Sequence, residues 1–171
     1  GILTNSLAAN DVPAVHAGYE RYRQPLLQSG VGLWELKPGD RSSARAPEDR
    51  GDSSGKTAVI GSSGASLHTK AFIVDGERGF VGSFNFDPRS AALNTEMGVL
   101  FEHPALAQEL IALFDDAKQP DTSYKVSLAP NGSLQWLDSQ NGKTWDREPE
   151  TSWALRSLTW LISLLPIESQ L

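Results

Sequence analysis

Residues 68 to 85 read H-T-K-A-F-I-V-D-G-E-R-G-F-V-G-S-F-N, and this stretch constrains the fold more than any other. Leu67 to Val74 and Phe80 to Phe84 are rich in β-branched and aromatic residues, and Asp75-Gly76-Glu77-Arg78 lies between them. The pattern predicts a β-hairpin. Side chains alternate along a strand, so His68 and Lys70 share a face of the first strand, and Ser83 and Asn85 share a face of the second. A loop at Gly76-Glu77 sets Asp75 against Arg78, Phe72 against Val81, Lys70 against Ser83 and His68 against Asn85. A four-residue loop from Asp75 to Arg78 gives the same register. Opposed residues point to the same side. The expected patch therefore holds an imidazole, an ammonium, a hydroxyl and an amide.

Such a patch suits a phosphodiester. Lys70 offers a compact positive charge, and Ser83 and Asn85 can donate hydrogen bonds to non-bridging oxygens. His68 can attack phosphorus or move a proton to or from an oxygen, because imidazole titrates near neutrality. Two such patches facing each other need no metal to neutralise the phosphate, and no cofactor is expected. Asp75, in the turn, suits backbone bonding or an ion pair that shapes the site.

The 171 residues suffice for one domain with a real core. No cysteine is present, which excludes disulfides and thiolate chemistry. The histidines, at 16, 68 and 103, lack metal-ligand spacing, so no metal site is expected. A net charge of −6 argues against an extended nucleic-acid surface. No apolar run is long enough to span a bilayer. The chain opens Gly1-Ile2-Leu3 without Met, which suggests a piece of a longer polypeptide.

Ile2 to Ser6 predicts a short strand. Asp11 is a candidate N-cap, Pro13 follows it, and Val12, Val15, Tyr19, Tyr22 and Leu26 recur at helical spacing up to Gly30. Val31 to Leu36 predicts the next strand, and strand-helix-strand implies a parallel pair and an α/β architecture. Residues 37–66 are polar, with near-balanced charges, and predict a solvated flexible loop. Met97 to Phe101 predicts a strand. Pro104 to Ala117 predicts an amphipathic helix with Leu106, Leu110, Leu113 and Phe114 on its apolar side. Asn131-Gly132 and Asn141-Gly142 predict two hairpins. Ser152 to Leu165 predicts a helix bearing Trp153, Trp160 and several leucines, with Arg156 its only charge. It is too short to cross a membrane. A membrane interface, a partner half and ordinary core packing are its possible settings.

The string H-x-K-x4-D-x6-G-S-x-N resembles the signature of the phospholipase D superfamily, in which two such motifs build one site. The opening I-L-T-N-S-L-A-A-N-D-V-P-A-V-H-A-G-Y and the closing L-L-P-I-E-S-Q-L resemble the carboxy-terminal half of bacterial cardiolipin synthase-like proteins. The resemblance implies a phospholipase D-like mixed β-sheet flanked by helices in a single domain. Residues 1–120 would be the catalytic half-domain, and 121–171 its carboxy-terminal hairpins and apolar helix. It also implies phosphatidyl transfer between phospholipids of the phosphatidylglycerol type through a phosphohistidine. The partner would be an amino-terminal half carrying the second motif, and the setting the cytoplasmic face of a bacterial inner membrane, with peripheral contact. Glu96 stands where the family has an acid that bonds the motif histidine, which adds it to His68, Lys70 and Asp75 as a candidate catalytic residue. Asn5 and Ser6 match the branch and are candidate pocket residues; His16 also matches, but mid-helix it reads as structural. Competing readings are a homodimeric one-motif phosphodiesterase or nuclease, and an inert fragment that binds lipid head groups.

Overall fold

A computed structural model describes residues 1–10, 13–39, 70–85 and 95–164. The expected parallel pair is present. Strand β1 (Ile2–Asn5) runs beside β2 (Leu33–Leu36), with Ile2 opposite Leu33 and Asn5 opposite Leu36. Where one helix was expected up to Gly30, the chain forms two, α1 (Pro13–Glu20) and α2 (Arg23–Gln28). Pro25 is the cause. It has no N–H to bond the carbonyl of Arg21, and its ring would clash there in a continuous helix. Instead Tyr22 N donates to Tyr19 O at 2.9 Å and closes the first helix, and Pro25 sits in the first turn of the second. Asp11 and Val12 lie outside the described residues.

Three further strands extend this sheet: β6 (Ser123–Leu128), β7 (Leu134–Asp138) and β8 (Lys143–Trp145). The order is β1-β2-β6-β7-β8, antiparallel from β2 onward. Both Asn-Gly turns are where the sequence predicts them, with Gly132 and Gly142 at positive φ. Leu33, Tyr124, Val126 and Trp136 form the buried core, with Tyr19, Leu27, Leu134 and Trp145 packed against it. The chain after residue 120 thus supplies most of the sheet on which β1 and β2 rest.

The helical face that the apolar spacing suggested is only partly the buried one, with Tyr19 on the core. Val15 and Tyr22 are exposed, whereas His16, Ala17 and Arg23 are buried. A polar network takes the inner position. Arg23 Nε lies 2.9 Å from Glu35 Oε1, Nη1 donates to Glu148 Oε1 at 2.5 Å, and Nη2 donates to His16 Nε2 at 2.5 Å. Tyr19 OH and Trp136 Nε1 donate to the two oxygens of Glu35 at 3.1 and 2.8 Å. Burial alone would discharge Arg23, but Glu35 and Glu148 outweigh it and hold the guanidinium charged. Burial pushes Glu35 upward against the pull of Arg23. Burial would raise Glu148 too, yet the neighbouring His16 and the charge of Arg23 draw it downward. The network joins α1, α2, β2, β7 and the segment after β8, all around one guanidinium.

The second sheet has the order β3-β4-β5: β3 (Lys70–Val74), β4 (Arg78–Gly82) and β5 (Gly98–Glu102). Helix α3 (Pro104–Ala117) follows with the predicted bounds, capped by the His103 ring, which accepts from Leu106 N at 3.2 Å. Its wholly buried positions are Ala107 and Ala117, and Leu106 is exposed. The last helix, α4 (Trp153–Ser163), is capped by Ser152 and packs against α1. Of the polar stretch 37–66, only residues 37–39 are described. Lys37 is a clamp there rather than a loop cation. Its ammonium donates to Pro120 O at 2.7 Å, Asp138 Oδ1 at 2.8 Å and Gln140 Oε1 at 3.3 Å.

Candidate functional site

The motif forms a hairpin, as its composition predicts, but in a register one residue away from the expected one. Lys70 opposes Gly82, Phe72 opposes Phe80 and Val74 opposes Arg78. The cause is the turn. Asp75 (φ 55°) and Gly76 (φ 70°) are both left-handed, and Glu77 N donates to Val74 O at 3.2 Å. The loop is therefore Asp75-Gly76-Glu77, a length that neither expected loop had. Helix α3 and its approach fix this turn: His103 N donates to Glu77 O at 2.8 Å and Gln108 Nε2 donates to Gly76 O at 3.4 Å.

Lys70 therefore faces a glycine instead of Ser83. Gly82 pairs with Gly98 on β5, and the Phe80 ring lies over both, so a Cβ at either position would strike it. Phe72 stacks on Phe80 with centroids 5.6 Å apart. The result is a small-residue gap beside an aromatic pair, with the half-buried Lys70 at its end. Among the described residues, the side chains of Lys70 and Asn85 have no hydrogen-bond or ion-pair partner.

Ser83 lies one residue past β4 and continues its pairing with the next segment, with Ser83 N donating to Met97 O at 2.9 Å. Its hydroxyl donates to Glu96 Oε2 at 2.6 Å and accepts from Met97 N at 3.1 Å. The structure thus joins two candidates, Ser83 and Glu96, that the sequence reading placed in different roles. Asp75 is the turn residue at positive φ. His68 lies outside the described residues. Asn5 closes β1 opposite Leu36, in the other sheet. Ser6 is fully buried, and its hydroxyl oxygen accepts from Ala9 N at 3.3 Å, capping the short turn Leu7–Ala9. His16 belongs to the buried network. No group of His, Asp and Glu among the described residues is placed to hold a metal.

The sequence reading missed the Arg23 network. The signal was there: His16, Tyr19 and Arg23 recur at spacings of three and four, which stack on one helical face. Apolar spacing does not mark that face, because its inner residues are polar.

Comparison with known proteins identifies the family. The family model described as "Cardiolipin synthase, PLD-like domain" matches residues 2–118, from β1 through α3. Cardiolipin synthase C of Escherichia coli (strain K12) is 47% identical over 169 residues, 98% of this chain and 34% of that protein. An uncharacterized protein of Helicobacter pylori (strain J99) is 33% identical over 168 residues, 96% of this chain and 30% of that protein. Cardiolipin synthase A of Klebsiella pneumoniae (strain 342) is 42% identical over 53 residues, 31% of this chain and 11% of that protein. The chain spans about a third of the length of the first two of these relatives. No solved structure matches it. With its motif hairpin, its mixed α/β architecture and the match from residue 2 to 118, the chain belongs to the cardiolipin synthase family with a PLD-like domain.

Proposed function

We propose that this chain is one half of the catalytic site of a phosphatidyltransferase that moves a phosphatidyl group between phospholipids. The observation that carries the reading is the single motif hairpin. It presents a Lys70 ammonium with no partner among the described residues, beside a paired Ser83 and Glu96, in a chain of the cardiolipin synthase family about a third as long as its relatives. One ammonium and one amide are too few donors for a phosphodiester in transit, and a second such set would come from the amino-terminal part of the longer protein.

In this reading a histidine of the other half attacks phosphorus and displaces glycerol, forming a P–N bond as the P–O bond breaks. His68 gives its proton to the departing oxygen. It then takes a proton from the hydroxyl of the acceptor lipid, whose oxygen attacks phosphorus and releases the first histidine. Lys70 and Asn85 hold the non-bridging oxygens throughout. Glu96, which also accepts from Ser83, takes the role of orienting the motif histidine. The substrates bring the site to a bilayer, and we assign it to the cytoplasmic face of a bacterial inner membrane. No helix among the described residues is long and apolar enough to cross a membrane.

The test is transfer of labelled phosphatidyl groups by the longer protein. Lys70→Ala and His68→Ala are each expected to lower the rate by a factor of ~10² or more. A Lys70→Ala protein with unchanged rate would refute the assignment.

A further inference from the structure

Helix α4 is amphipathic in the inverted sense. Trp153, Trp160 and Leu164 are 75%, 57% and 62% exposed, and Leu158 and Leu161 are about half exposed beside them. Spacings of seven and eleven residues return to nearly the same side of a helix, so the two tryptophans and Leu164 form one outward ridge. Most polar groups point elsewhere, the exposed Ser157 excepted, which lies on the ridge side. Thr159 is buried, with its hydroxyl donating to Leu155 O at 3.0 Å. Arg156, the only charge on the helix, donates to Thr151 O and Thr151 Oγ1 at 2.5 and 2.9 Å. The helix has no Asp or Glu, in a chain whose net charge is −6.

We propose that this ridge seats in the boundary between head groups and acyl chains of an anionic phospholipid bilayer, with α4 lying in the plane of the membrane. Three observations favour lipid over another occupant. Tryptophan combines a large apolar ring with an N–H donor, and it concentrates at the head-group level of membranes. A helix without carboxylates, carrying one cation, meets no repulsion from anionic head groups, which the rest of this acidic chain would. Eleven residues are too few to span but enough to lie in an interface. The proposal rests on the phospholipid reading of the motif and goes beyond it by naming the element that brings the site to its substrate.

The test uses the purified chain and vesicles of phosphatidylglycerol and phosphatidylethanolamine. The wild-type chain is expected to co-sediment with them, and the Trp153→Ser/Trp160→Ser variant to bind at least ~10-fold more weakly, since burying even one large apolar side chain is worth about that factor. Quenching of wild-type tryptophan fluorescence by brominated acyl chains gives a second reading that needs no substitution. The proposal is overturned if the wild-type chain does not bind or is not quenched, or if the double variant binds as wild type does. It is equally overturned if the double substitution instead abolishes a dimer of this chain, or its capture of the amino-terminal part of the longer protein. If the chain fails to bind vesicles while the longer protein still transfers phosphatidyl groups, this proposal falls and the reading of the motif stands.

Discussion

Ser83 Oγ and Glu96 Oε2 are 2.6 Å apart, a hydroxyl donating to a carboxylate across the end of the β4–β5 pairing. The contact ties the G-S-x-N end of the motif to the acid that follows it, so neither residue is independent of the other. Glu96→Gln keeps the shape and removes the charge. It is expected to lower transfer by the longer protein by a factor of ~10–10², while the melting temperature of the variant stays within about 2 °C of wild type. Equal loss of activity and stability would instead make the pair a structural brace.

Asp75 occupies a left-handed backbone position (φ 55°) that glycine adopts without strain. If its role is to shape the turn, Asp75→Gly should retain activity and change stability by less than about 1 kcal/mol. Gly76→Ala, at φ 70° with Gln108 Nε2 about 3.1 Å from the added carbon, should cost about 1–2 kcal/mol. Urea titration of each variant measures both, and a rate loss at Asp75→Gly without a stability loss would make Asp75 a participant in the chemistry.

Arg23 is the hub of the buried network. Arg23→Met leaves Glu35 and Glu148 without their cation, and by the usual cost of orphaning buried charge it should remove about 3–5 kcal/mol of stability. Adding Glu35→Gln to Arg23→Met should recover part of that loss, because one of the two orphaned charges is gone. Simple additivity of the two changes in urea denaturation would show that the groups do not act as a network.

The Lys37–Asp138 contact gives a dependence on pH. Burial would raise the Asp138 carboxyl, but the hydrogen bonds from Lys37 and Asn141 outweigh it and hold it below its usual value near 3.8. A lowered carboxyl stabilises the fold above its unfolded pKa, and that contribution disappears as pH falls through the folded value. Asp138→Asn should therefore cost about 1–2 kcal/mol at pH ~7, and the gap to wild type should close below pH ~4. A gap that stays constant down to pH ~2.5 in urea titrations would contradict the ionised pair.

Much of the fold was legible because local rules govern it. The two Asn-Gly turns, the bounds of α3 and the presence of α4 follow from residues a few positions apart. The hairpin register did not, because it depends on whether Asp75 accepts a left-handed φ, which neighbouring α3 stabilises through His103 N and Gln108. The break at Arg21-Tyr22 was readable from Pro25 but was masked by the apolar periodicity running through it. The Arg23 network was hidden for a different reason: Glu35 and Glu148 are 113 residues apart, and only the folded sheet brings them to one guanidinium. Of the candidate site, the residue types were legible in the motif, while the pairing of Ser83 with Glu96 required the structure.

The central claim is that the single motif is half of a site. Its most direct test is phosphatidyl transfer measured on the isolated chain and on the same chain mixed with the amino-terminal part of the longer protein. The account predicts no turnover by the chain alone and activity restored by the mixture. Sustained turnover by the chain alone, abolished by His68→Ala, would contradict it.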